Sequence, residues 1–197
     1  MRKLMQYAVI ALGVTFAPAA HAACKADKAG DDLTGAEAQQ VYECMADRLY
    51  AGYNKGNTRW VPSEYVKNYR DWVKASTFPA APGTHGNRFL VTWVNDVGAK
   101  EYMKYAEEPN IPAGTLIAKE SFSVNAKGKV RPGPIFFMEK VAAGKSPKTG
   151  DWYYSIVAPN GNAVGVNVMK ACNQCHMDAF GFQGGLGYPV EEARVTN

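Results

Sequence analysis

Only three histidines and four cysteines occur in the 197 residues, so any metal or redox chemistry must rest on very few side chains. No internal repeat is present, which excludes solenoid and propeller architectures. No low-complexity tract exceeds the glycine-rich stretch from Gly181 to Gly187. Beyond the first residues no segment has an uncharged apolar run near the length of about 20 that a membrane-spanning helix needs. Neither sign of charge predominates strongly. Basic residues number 22 against 18 acidic ones, and no basic stripe is interleaved with aromatics, which speaks against nucleic acid as a partner.

The N-terminus carries Arg2 and Lys3, an apolar run from Ala8 to Phe16, and the small-x-small triplet Ala20-His21-Ala22. That order is the pattern of a secretory signal peptide. Residues 1–22 are therefore expected to be removed, leaving a single domain over residues 23–197 outside the cytoplasm, in the periplasm. Loss of Arg2 and Lys3 leaves 20 basic against 18 acidic residues, a nearly neutral mature chain. The triplet His21-Ala22-Ala23 before Cys24 lacks the leucine of a lipoprotein box, so lipid anchoring is not expected.

Helical signals come first. Thr34 and Glu37 have capping-box spacing, and Val41, Cys44, Met45, Arg48 and Leu49 recur at helical intervals before Gly52, which predicts a helix over 34–51. Shorter helices are predicted over Asn68 to Ala75, and over Val97 to Ala106 behind an N-cap at Asp96. The pattern then changes. Arg88 to Val94, Thr115 to Val124, Ile135 to Ala142 and Trp152 to Ala158 are rich in aromatic and β-branched residues and bounded by Gly, Pro and Asn turns. Asn125 to Gly128 has the composition of a hairpin turn. The fold class is α+β: mainly antiparallel β-sheet, a few flanking helices, and a C-terminal motif on a helical turn from Asn167 onward.

That motif is Cys172-Asn173-Gln174-Cys175-His176, the signature of covalent haem attachment. Two thiols three residues apart on a turn can add across the porphyrin vinyl groups, and the adjacent histidine is delivered to the iron. A thioredoxin-like pair would follow a strand and open a long helix, and a zinc site would need further ligands at suitable spacing. Neither pattern is present. Cys172, Cys175 and His176 are therefore the candidate binding residues for one haem c, with His176 the iron ligand. Cys24 and Cys44 form an even pair in an oxidising compartment, for which a disulfide is the economical reading.

The sixth iron position has no obvious occupant. Only 21 residues follow His176, and their sole methionine, Met177, adjoins the proximal ligand and cannot reach the opposite ring face. Met103, Met138 and Met169 lie upstream. His85, the other histidine of the mature chain, sits in a Pro/Gly loop where solvent exposure is the default. A five-coordinate iron with an open distal site is expected, which points to small-molecule chemistry.

With its C-terminal motif on a strand-rich exported domain, the chain resembles the cytochrome P-460 family. Lys67 to Val73 resembles the family's early helix, Gly150 to Tyr154 its late strand, and Gly114 to Glu120 the strand bearing a lysine joined covalently to the haem ring. The resemblance implies that Lys119 is that cross-linking lysine and has a catalytic role. It also implies a distal acid beyond the aromatic strand, and here the pattern departs. Glu139 is the nearest acid, several positions early. Strand alternation puts it on the face of Phe137 and Val141, where it can act as a proton acceptor only if that face lines the haem pocket.

The function implied is oxidation of hydroxylamine or a related small nitrogen compound, with electrons passed to a partner cytochrome. The alternatives are a nitric oxide or carbon monoxide binder of the related β-sheet c-prime type, and a plain electron carrier. A homodimer is compatible with this reading. Replacing both thiols in Cys172→Ala/Cys175→Ala is expected to abolish covalent haem staining on a denaturing gel. Wild-type staining in that variant contradicts the attachment reading.

Overall fold

The computed structural model describes residues 24–196; the expected signal peptide, residues 1–22, lies outside them. The first helix, α1 (Gly35–Tyr53), begins at the expected capping box, with the Thr34 hydroxyl accepting from the Glu37 amide and the Glu37 carboxylate from the Thr34 amide. It buries Ala38, Val41, Tyr42, Met45, Leu49 and Tyr53 along one face, the apolar stripe of an amphipathic helix. Gly52 does not end it: a β-carbon there would collide with the Pro159 carbonyl oxygen, so the glycine permits close packing inside the last turn. Cys44 lies on the outer side of the helix and is disulfide-bonded to Cys24, which ties the start of the domain to α1.

Seven antiparallel strands follow: β1 (Val73–Lys74), β2 (Phe89–Val94), β3 (Leu116–Val124), β4 (Val130–Pro132), β5 (Ile135–Lys140), β6 (Trp152–Val157) and β7 (Ala163–Val166). Their order is β1-β2-β3-β5-β6-β7, with β4 pairing the far end of β3. Paired residues share a face, because side chains alternate along each strand. One row, Val91, Glu120 and their neighbours Phe89, Ala118, Phe122, Ile135, Phe137 and Val157, faces α1. The opposite row crosses Thr92, Lys119, Phe136 and Ile156.

The face under α1 contains a buried polar knot. Glu120 is fully buried, and its carboxylate accepts from Tyr42 Oη at 2.6 Å, Tyr69 Oη at 2.9 Å and Arg70 Nη2 at 2.6 Å. A carboxylate in a core survives only when paired and hydrogen-bonded, as this one is.

Three predicted boundaries differ from those observed. The helix predicted over 68–75 lies earlier, as α2 (Ser63–Asn68) after Pro62, followed by a 3₁₀ turn at Tyr69–Asp71. Val73 and Lys74 instead pair with Val94 and Trp93, so strand pairing overrides local helical spacing. Helix α3 (Asp96–Tyr102) is capped by Asn95 rather than Asp96, since Asn95 Oδ1 accepts from both Gly98 and Leu116 amides. It stops short of Ala106, and Tyr105 has a positive φ of 49°. The short strands β1, β4 and β7 were not anticipated, being too brief for a period-two pattern to register.

Arg70→Ala leaves the Glu120 charge buried without its cation, and is expected to cost about 3–5 kcal/mol of stability by denaturant unfolding. A change below about 1 kcal/mol contradicts a structural role for this ion pair.

Candidate haem site

The sheet face opposite α1 forms one wall of a cavity of about 720 Å³. That volume falls within the range of about 300–1,000 Å³ usual for ligand and cofactor sites. Thr92, Lys119, Phe136, Met138, Tyr154 and Ile156 line this wall, one alternating row drawn from four strands. The facing wall is the C-terminal segment. A π-helical turn at Met169–Asn173 runs into α4 (Gln174–Phe180), which brings Cys172, Cys175 and His176 to the same cavity. The loop from Ala80 to His85 and the segment from Tyr188 to Val190 complete the enclosure.

His176 is buried, and its Nδ1 lies 2.8 Å from the Gly185 carbonyl oxygen. A carbonyl only accepts, so Nδ1 carries the proton and Nε2 keeps a free lone pair, the arrangement that orients a metal-ligating imidazole. Burial, then the Lys119 charge, holds its pKa down to about 4, so the ring is neutral at physiological pH. Gly185 has a φ of 80°, and a β-carbon on it would press on Met177 Sδ, so glycine suits the position. Cys172 is half-buried, Cys175 exposed, and neither is in a disulfide.

Lys119 is 7% exposed, and its Nζ donates to the Gly187 carbonyl at 3.2 Å. Among the described residues no carboxylate forms an ion pair with it. A buried lysine without a counter-charge is uncommon. Burial lowers its pKa to about 8, so about a tenth is free amine, the nucleophilic form, at pH 7 and more at higher pH.

Sequence reasoning missed two cavity residues. Tyr154 sits 5.1 Å from His176 between ring centres, and its buried hydroxyl has no hydrogen-bond partner among the described residues. Its signal was available, since alternation along β6 places it beside Met138 on β5. His85 was expected to be solvent-exposed. Instead it is half-buried in the cavity, its ring 4.8 Å from that of Phe136, and burial followed by the nearby Lys119 and His176 charges lowers its pKa to about 3. Loop residues have no periodicity from which this could be read.

The structure does not bring Glu139 to the cavity. It belongs to the α1 face of β5, beside Tyr65, whose hydroxyl is pushed up to about 12 by burial and then by the Glu139 carboxylate. Glu139 is not among the residues that line the cavity, although Phe137 on the same strand is. Among the described residues, no Asp or Glu lines the cavity.

The donor set fits a covalently held haem. Two thiols and an imidazole with a free Nε2 share one wall of an apolar cavity, an amine stands on the other, and the Tyr154 hydroxyl awaits a partner. A family model for cytochrome P-460 matches residues 66–181, more than half of the chain, and the chain belongs to that family of haem c proteins. No curated protein matches it. No described helix is long and apolar enough to cross a membrane.

Because Glu139 lies behind the sheet, Glu139→Gln is expected to leave small-ligand affinity and turnover of the holoprotein within about twofold of wild type. A loss of tenfold or more contradicts that placement.

Proposed function

We propose that this member of the cytochrome P-460 family is an exported mono-haem oxidoreductase. It oxidises hydroxylamine or a related small nitrogen compound and passes the electrons to another cytochrome. The observation that carries the reading is the position of Lys119, buried and without a carboxylate partner among the described residues, in the same cavity as Cys172, Cys175 and His176. Haem supplies an iron that binds small nitrogen ligands and exchanges electrons.

The protein's own groups divide the remaining work. Cys172 and Cys175 would hold the ring through thioethers, and His176 would ligate through Nε2, its orientation fixed by the Gly185 carbonyl. Lys119, in its free-amine form, would be the group on the sheet wall available to join the ring edge. Apolar lining residues, Leu90, Phe136, Met138 and Ile156 among them, would limit bulk water around a bound ligand. Phe182, 69% exposed, and exposed Cys175 mark the rim where a redox partner can approach the ring edge.

One observation favours the gas-binding alternative. Oxidation removes protons, and among the described residues no carboxylate lines the cavity to take them. Turnover of hydroxylamine with an artificial electron acceptor separates the two readings, because a gas binder takes up nitric oxide or carbon monoxide without turnover.

With the cross-link present, trypsin should not cut after Lys119, and one haem peptide should contain both the Cys172 to His176 segment and the Lys119 segment. Lys119→Ala should retain haem through the two thiols yet lose at least about tenfold in hydroxylamine turnover, while gas binding survives. A wild-type haem peptide lacking the Lys119 segment contradicts the oxidase reading.

A further inference from the structure

His85 is a second imidazole in the cavity, and nothing assigned so far uses it. Its ring centre lies 6.1 Å from that of His176, and the two planes cross at 81°. Two imidazoles bonded to one metal through Nε2 at about 2.0–2.1 Å each, with about 1.1 Å from nitrogen to ring centre, have centres about 6.3 Å apart. The observed spacing matches a single metal atom between the rings and leaves no length for a further bridging ligand.

Three features of the loop fit that role. The Nδ1 of His85 is 3.0 Å from Thr84 Oγ1, so that with Nδ1–H donating to the hydroxyl, Nε2 is the nitrogen left free, as it is in His176. The ring rests on Phe136, which restricts its orientation. The backbone at His85 has a φ of 52°, in the left-handed region that few residues with a β-carbon adopt, histidine and asparagine being among the more tolerant.

We propose that His85 is the resting sixth ligand of the haem iron, bonded through Nε2 and displaced when a small nitrogen compound or gas binds. This rests on the reading of Cys172, Cys175 and His176 as the haem attachment, and it replaces a vacant distal position with an exchangeable one. The loop is suited to release. Gly86 has a φ of 75°, and a β-carbon on Gly83 would meet nothing within 4 Å, so open space lies beside the loop next to His85. Incoming ligands bind only the fraction of protein in which His85 has let go, which lowers their apparent affinity by that fraction.

The test uses the purified holoprotein and begins with covalent haem staining, then optical and electron paramagnetic resonance spectra of the ferric state. Wild type is expected to be six-coordinate and low-spin with no added ligand. His85→Gly, a substitution that suits the positive φ, should keep its covalent haem and become high-spin. Added imidazole should return the variant to low spin, binding at least about tenfold more tightly than to wild type because it no longer competes with His85. His85→Asn, another residue tolerant of this backbone, provides the same comparison should the glycine variant not accumulate. A haem-loaded wild type that is high-spin, or a low-spin spectrum unchanged in both variants, overturns the proposal and leaves the attachment reading standing. A preparation without covalent haem overturns both.

Discussion

The two-residue alternation of β3 decides what each part of this protein can do. Lys119 and Glu120 are neighbours in the chain, both buried, and lie on opposite faces of the same strand. Pairing with β2 and β5 holds the register: Thr92 and Phe136 flank Lys119, while Val91 flanks Glu120. A slip of one residue would exchange the two faces along the whole strand, sending the lysine under α1 and the glutamate into the cavity. The hydrophobic row on the α1 side opposes such a slip, since Ala118 and Phe122 would have to leave the core.

The two buried charges are treated differently. Glu120 has three donors, so its charge is matched within the core and contributes to the architecture. Lys119 has one carbonyl acceptor and no carboxylate among the described residues, and burial lowers its pKa to about 8. A fold that satisfies one buried ion and leaves its neighbour under-satisfied marks that neighbour as a candidate functional group. The same contrast runs through the histidines, because His176 has its Nδ1 occupied by Gly185 while its Nε2 remains available.

Period and capping made the main elements legible. The capping box at Thr34 and Glu37, and the four longer strands, came from patterns that local sequence carries directly. The thiol and imidazole set was legible from spacing alone, and Lys119 only through resemblance, since nothing local distinguishes it from a solvent-facing lysine. What escaped was tertiary. Glu139 could be assigned to the Phe137 face, but which face lines the cavity depends on where α1 packs, and that is a long-range contact. His85 escaped for a related reason, since a Pro/Gly loop has no period and its burial is set by the distant Phe136 and His176.

The central claim is that one haem sits between the α4 wall and the Lys119 face of the sheet. A crystal structure of the mature protein with anomalous data at the iron edge tests it most directly. The account predicts one iron peak at about 2 Å from His176 Nε2, with ring density continuous to the sulfurs of Cys172 and Cys175 and to Lys119 Nζ. An iron peak elsewhere, or a cavity filled by side chains with both thiols free, would contradict it.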